Sequence, residues 1–192
     1  MMAFLTGVLL LFIPEFAFAH AVQGDGFYAG LSHPVGGLDH LLAMLSVGIL
    51  STQMGAGHIW KVPATFVSIM LLGGFVGLQG VDIPMEIIEH GIVFSVILLG
   101  LVIATGGKLT AFLVYLFVAF FGFSHGYAHG VEMPIQAKPM YFAAGFVIST
   151  IVIHIVGVLI GFMYALGKER GKTLLQYTGA VIMGMGLHML LS

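Results

Sequence analysis

Seven apolar stretches, separated by short polar segments, constrain this chain more than any other feature. They cover residues 1–19, 37–53, 62–80, 87–105, 109–127, 140–166 and 173–191. A bilayer core takes about 20 apolar residues as helix, because the backbone must satisfy its own hydrogen bonds there. Only 7% of the residues are charged and the mean hydropathy is +1.11, which excludes a soluble globular domain. We therefore predict an all-α, polytopic membrane helical bundle, with residues 20–192 forming a single domain of six core transmembrane helices.

The first stretch has the features of a secretory signal peptide. Its apolar run ends at Ala17-Phe18-Ala19, a small-residue pattern of the kind that is cleaved, and polar sequence follows. We expect residues 1–19 to be removed, which leaves His20 as the first residue, with an amine and an imidazole that could together chelate a divalent metal. The alternative is that this stretch stays in place as a seventh helix.

Lysine and arginine mark one face of the predicted bundle. Segments 54–61, 106–108 and 167–172 hold five of the six basic residues, and Lys138 is the exception. Because short cytoplasmic loops are enriched in these residues, we expect those segments inside the cell. Both mature termini then lie on the outer side of a bacterial inner membrane. Since the loops are short, we also expect helices adjacent in sequence to pack as antiparallel neighbours.

Composition excludes several classes of function. The chain has no cysteine, which excludes disulfides, thiolate metal sites and iron–sulfur clusters. A net charge of −2 without a basic run gives no positively charged surface of the kind that binds nucleic acid. Histidine is the unusual residue, since nine histidines outnumber the six lysines and arginines together. Ionisable groups at membrane depth usually face a cavity and mark a pathway, so the histidines are the first candidates for function.

On the predicted topology most histidines and carboxylates collect at the outer ends of the helices. They are the imidazoles of His33, His40, His90, His125, His129 and His188, and the carboxylates of Asp39, Asp82, Glu86, Glu89 and Glu132. Imidazole and carboxylate donors without thiolate suit a borderline divalent transition metal. We therefore predict a metal site there, rather than an enzymatic centre or a site for an organic cofactor.

Two segments supply the predicted metal ligands, which are His33, Asp39, His40, His125, His129 and Glu132. In the first segment Pro34 biases His33 towards an extended conformation, and Asp39 and His40 fall in the first turn of the next helix. In the second segment His125 and His129 are four residues apart and Glu132 follows three residues later. These three side chains share one helical face if the helix continues that far.

A further set of residues is predicted to form a secondary metal site or to line the pathway. Its members are His20, Glu86, Glu89, His90, His154 and His188. Acidic residues are common at helix starts because of the helix dipole alone, which weakens the case for Glu86 and Glu89. For His154 and His188 the alternative is a hydrogen bond between helices.

The two main segments resemble the HupE/UreJ family of membrane proteins, which are associated with hydrogenase and urease maturation. The family's His-Pro-x-x-Gly-x-Asp-His pattern is similar to HPVGGLDH at residues 33–40, and its His-Gly-x-Ala-His-Gly-x-Glu pattern is similar to HGYAHGVE at residues 125–132. The resemblance implies a secondary permease whose transported substrate is Ni²⁺ or Co²⁺. It also implies a six-helix mature core with an exported, histidine-led N-terminus.

Three other functions stay open from the residues alone. A metal sensor or metal donor would use the same ligands without transport, and a b-type haem protein would use paired histidines from neighbouring helices. An intramembrane serine protease would use the G-x-S-x-G pattern at residues 122–126, which needs a strand–turn–helix context. The Gly-x-x-x-Gly spacings at 73–77 and 157–161 fit packing within one chain as well as between chains, so the oligomeric state is open too.

Overall fold

In a computed structural model the described part of the chain, residues 26–192, consists of helices joined by short turns and contains no strand. The helices are α1 (Phe27–Gly36), α2 (Leu38–Gln53), α3 (Lys61–Leu78), α4 (Met85–Ala104), α5 (Ala111–Val131), α6 (Pro139–Leu166) and α7 (Lys168–Leu191). The predicted signal peptide and His20 lie outside the described residues.

The helices α3 to α7 are each long and apolar enough to cross a membrane. Helix α2 has 16 residues, so its length of about 24 Å is shorter than the ~30 Å hydrocarbon core. It is joined to α1 through a bend of 84°, and the two helices pass the same test together as one broken span. The prediction of an all-helical, polytopic membrane protein is confirmed, with five spans and one bent pair in place of six uniform helices.

Helix α1 contradicts the extended conformation expected for His33. Residues 27–36 are helical although Pro34 lies inside the helix. Proline removes one backbone N–H, and so close to the end of a helix this loses a single hydrogen bond to the carbonyl of Gly30. The chain turns three residues later, where Gly37 adopts φ −98° and ψ 120°. As a result His33 and His40 lie on two helices that meet at a sharp bend.

Glycine strips, rather than loop lengths, decide which helices pack together. The most extensive contacts join α3 with α5, α4 with α7, and α6 with both α1 and α2. Helices α3 and α5 are parallel, because Gly122 packs on Phe66 and Gly126 packs on Met70. The expectation that helices adjacent in sequence are the main antiparallel partners is wrong for these pairs. Small residues let the backbones of helices that are not adjacent in sequence approach closely.

Two helices differ from their predicted bounds in a way that matters for function. Helix α5 continues to Val131, so His129 is helical, and the backbone N–H of Glu132 donates to the carbonyl of Ala128 at 2.8 Å. Helix α7 begins at Lys168, which reduces the predicted loop at 167–172 to Gly167. The basic residues of that segment therefore lie on the first turns of α7. We call this end of the bundle the lysine end; it carries Lys61, Lys108, Lys168, Arg170 and Lys172.

The contact between α3 and α5 predicts a large effect for one methyl group. A Cβ on Gly126 would collide with the backbone carbonyl of Met70, so Gly126→Ala should force the two helices apart. Overpacking of this kind lowers the free energy of unfolding by about 1–3 kcal/mol, and thermal unfolding in detergent would measure the loss.

The matched control is Gly184→Ala in α7, where an added Cβ meets nothing within 4 Å. This substitution should leave stability unchanged or raise it slightly, because alanine is the better helix former. Equal stability for the two variants would contradict the packing described for α3 and α5.

Candidate metal centre

The imidazoles of four histidines gather at the end of the bundle where α1, α2 and α5 meet. Ring centroids lie 4.6 Å apart for His33 and His129, 4.5 Å for His40 and His129, and 4.8 Å for His40 and His125. Helix α1 supplies His33, the first turn of α2 supplies His40, and the last turns of α5 supply His125 and His129. We call this the histidine end of the bundle.

Glu132 faces two of these histidines from the C-terminus of α5. Its Oε2 lies 3.6 Å from Nε2 of His33 and 4.0 Å from Nδ1 of His129, and ligand atoms of the three residues all lie within 4.8 Å of one another. Donors bound to one ion at about 2.0–2.1 Å lie at most about 4.2 Å apart. The carboxylate already has both imidazoles within that limit, so a small side-chain rotation would let all three residues bind one ion.

Asp39, predicted as a direct ligand, is placed so that it orients His40. Its Oδ1 accepts hydrogen bonds from the backbone N–H of His40 at 2.8 Å and from the ring Nδ1 of His40 at 2.7 Å. Because a carboxylate oxygen only accepts, Nδ1 carries the proton and Nε2 of the neutral ring keeps a free lone pair. Carboxylate–histidine pairs of this kind fix the tautomer and orientation of metal-binding imidazoles.

His125 is held in the same tautomer by its own helix. Its Nδ1 donates to the carbonyl of Phe121 at 2.8 Å, which leaves the lone pair on Nε2. Within residues 26–192, Nε2 of His125, Nε2 of His40 and both ring nitrogens of His129 are buried without a hydrogen-bond partner. An unsatisfied buried polar group costs about 1–3 kcal/mol. A metal ion held by His33, His129 and Glu132 would satisfy one of the ring nitrogens of His129.

The cluster becomes more buried along the direction from the surface into the bundle. The side chain of Glu132 is 46% exposed and that of His33 is 35% exposed, whereas His40 is 14% and His129 is 4% exposed. His125 is fully buried. An ion that approaches this end therefore meets the carboxylate first and the deepest imidazole last.

Two phenylalanines of α6 complete the wall of the cluster, and sequence reasoning missed them. The ring centroid of Phe142 is 5.9 Å from that of His33, and the ring centroid of Phe146 is 4.3 Å from that of His129. A signal was present, because Phe142, Phe146, Thr150 and His154 recur every four residues and so share one stripe of α6. That stripe runs from the cluster towards the middle of the bundle.

Tyr127 is a second residue that sequence reasoning missed. Its hydroxyl donates to the carbonyl of Val81 at 2.6 Å and accepts from the backbone N–H of Ile83 at 2.9 Å. These bonds tie α5 to the segment that precedes α4. They fix the position of the exposed Asp82 at the same end of the bundle as the cluster.

The other sequence candidates are not part of this cluster. Among the described residues, His33, His129 and Glu132 form the one group of three side chains close enough to share an ion. Glu86, Glu89 and His90 are exposed, and Nδ1 of His90 donates to the backbone carbonyl of Glu86. His188 is exposed near the end of α7, whereas His154 is buried in the middle of α6.

The G-x-S-x-G pattern at residues 122–126 lies entirely inside α5. The hydroxyl of Ser124 donates to the carbonyl of Phe120 at 3.2 Å, which is a bond within the same helix. A nucleophile elbow needs a sharp turn between a strand and a helix, so this pattern does not form one here.

The two histidine motifs and nearly the whole chain match one known family. The sequence model of the family described as HupE / UreJ protein matches residues 8–189. The chain belongs to the HupE/UreJ family. It is 33% identical over 186 residues to Protein HupE of Rhizobium leguminosarum bv. viciae, a match that covers 96% of this chain and 95% of that protein. No solved structure matches it significantly. The resemblance drawn from the motifs is thus confirmed.

For this HupE/UreJ protein, the orienting position of Asp39 predicts a defined effect of Asp39→Asn. The neutral amide holds the proton of His40 less strongly, so we expect the affinity for Ni²⁺ to fall about 10- to 100-fold, as is typical when an outer-shell partner is lost. Isothermal titration of the purified protein in detergent would measure it.

Asp82→Asn is the matched control for Asp39→Asn, because it removes an exposed carboxylate at the same end of the bundle. We expect the Ni²⁺ affinity of this variant to stay close to that of the wild type. If Asp39→Asn also keeps the wild-type affinity, then Asp39 does not orient a ligand.

Proposed function

We propose that this protein is a secondary permease that takes up a divalent transition metal across the bacterial inner membrane, with Ni²⁺ as the main substrate and Co²⁺ as the alternative. One observation carries the proposal. Four imidazoles and a half-exposed carboxylate, from three helices, converge at one end of a bundle of membrane-spanning helices.

The donor set supports this class of ion. Hard cations such as Mg²⁺ and Ca²⁺ prefer oxygen ligands, whereas imidazole suits borderline metals such as nickel, copper and zinc. The cluster is rich in imidazole, contains one reachable carboxylate and has no thiolate, since the chain has no cysteine. Membership of the HupE/UreJ family and the likeness to Protein HupE support the same proposal.

The gradient of burial supports transport over permanent binding. Exposed carboxylates at the histidine end, Glu86 and Glu89, raise the local concentration of cations. Glu132 and His33 would bind the ion as it loses water, and His129, His40 and His125 would then replace the remaining water ligands. Release on the other side would need a rearrangement of helices that pack through glycine.

The direction of transport follows from the distribution of basic residues. The lysine end carries five of the six lysines and arginines, and short cytoplasmic segments are enriched in these residues. We therefore propose that the histidine end faces the periplasm and that the lysine end faces the cytoplasm. The C-terminus, which ends α7 at the histidine end, is then periplasmic, and the exported N-terminus shares that side.

The geometry disfavours a b-type haem site. The two axial imidazoles of such a haem lie on opposite faces of the macrocycle. Centroid distances of 4.5 to 4.8 Å between the histidine rings leave no space for a macrocycle between them. We propose a binding and transport role without an enzymatic reaction. The remaining alternative is a membrane metal sensor or metal donor that binds the ion without transporting it.

His40→Ala and His129→Ala test the proposed site. Each substitution removes an imidazole whose nitrogen is buried and unpartnered, so we expect accumulation of radiolabelled Ni²⁺ to fall to the background of cells without the protein. Accumulation would be measured in cells that express each variant, together with the amount of the protein in the membrane, which should not change.

Ser32→Ala is the control, because this exposed residue neighbours His33 and its hydroxyl donates to the carbonyl of Tyr28 in the same helix. It should keep wild-type uptake. Unchanged uptake in both histidine variants would refute the site. Binding of Ni²⁺ by the wild type without any uptake would favour the sensor or metal donor.

A further inference from the structure

His154 is a second buried, unpartnered histidine, and it lies outside the cluster. It occupies the middle of α6 and is 2% exposed, and neither of its ring nitrogens has a hydrogen-bond partner among the described residues. An imidazole that merely links two helices would bond at least one neighbour. Its two free nitrogens are therefore unexplained by packing alone.

A single aromatic ring packs against both His154 and the deepest histidine of the cluster. The ring centroid of Phe66 in α3 lies 5.4 Å from that of His125 and 5.2 Å from that of His154. The two imidazoles therefore cannot be further apart than the sum of these distances. One turn of α6 towards the histidine end, the hydroxyl of Thr150 faces the sulfur of Met70 at 3.9 Å. Polar and soft atoms thus continue from the cluster to His154.

His154 also borders a cavity of about 320 Å³ between α3 and α6, which opens onto the outer surface of the bundle. The cavity is lined at the lysine end by Trp60, the residue before α3, and by Pro63 and Val67 farther along that helix. His154 is the imidazole in its lining, and the walls are otherwise mostly apolar. The backbones of α2 and α6 are in close contact at this level, since a Cβ on Gly48 would collide with the carbonyl of His154.

We propose that His154 is the inner metal ligand of the permeation path, which binds the ion after it has left the cluster and before it is released at the lysine end. The inference rests on the proposed function and adds a second station to it. Two metal-binding positions that contact the same ring let the ion move by ligand exchange, without a continuous column of water through the bundle.

Substitutions at His154 separate a ligand from a packing residue. His154→Phe keeps a ring against Phe66 but removes both nitrogens, and His154→Ala removes the ring as well. We expect both variants to lose uptake of radiolabelled Ni²⁺ in membrane vesicles while the purified proteins keep wild-type Ni²⁺ affinity at the histidine end. Wild-type uptake by His154→Phe would overturn the proposal, because the ring alone would then suffice.

The absence of cysteine allows a more direct test. His154→Cys places a single thiol at the proposed station, and Ile155→Cys places one in the lining of the same cavity as a control. A maleimide added to inside-out vesicles should label both, and Ni²⁺ should slow the labelling of His154→Cys alone. Equal labelling with and without Ni²⁺, or no labelling of His154→Cys, would overturn the proposal.

Accumulation of Ni²⁺ by the wild type distinguishes a failure of this inference from a failure of the proposed function. If the wild type does not accumulate Ni²⁺ at all, the proposed permease is wrong. If the wild type accumulates Ni²⁺ and the His154 variants do so equally well, the permease stands and the inner station is wrong.

Discussion

The histidine cluster depends on the contact between the backbones of α3 and α5. In α5 each of the two ligand candidates is followed directly by glycine, as His125-Gly126 and His129-Gly130. Successive residues of a helix are turned by about 100°, so the glycines meet α3 while the imidazoles face α1 and α2. A bulkier residue at either glycine would move the whole last turn of α5. Residues 125–132 therefore determine both the packing of α5 on α3 and the positions of the donors.

A second constraint is the tautomer of the deep histidines. Asp39 holds Nδ1 of His40 and the carbonyl of Phe121 holds Nδ1 of His125, so each ring presents Nε2 to the interior. Donors that are oriented in advance lose little conformational entropy when an ion binds. The bend between α1 and α2 brings His33 to the same place from another direction. The fold thus assembles donors from three helices without a long binding loop.

Several features were predictable because they are local. Apolar runs located the spans, and the four-residue spacing of His125 and His129 placed them on one helix face that the structure brings against His33 and His40. Helix α1 was not predicted, because proline usually ends a helix. Pro34 lies near the end of α1, where it removes only one hydrogen bond. The pairing of α3 with α5 was missed because loop length does not reveal which glycine strips match. Whether His154 has a partner is a tertiary property that its own segment does not encode.

The most direct test of the metal centre is a structure of the Ni²⁺-soaked protein with anomalous scattering recorded at the nickel edge. We predict a peak at the histidine end, about 2.0–2.1 Å from ligand atoms of at least two of His33, His129 and Glu132, with the rings of His40 and His125 directly beneath it. A peak held only by the exposed Glu86 and Glu89, with none among the histidines, would contradict it.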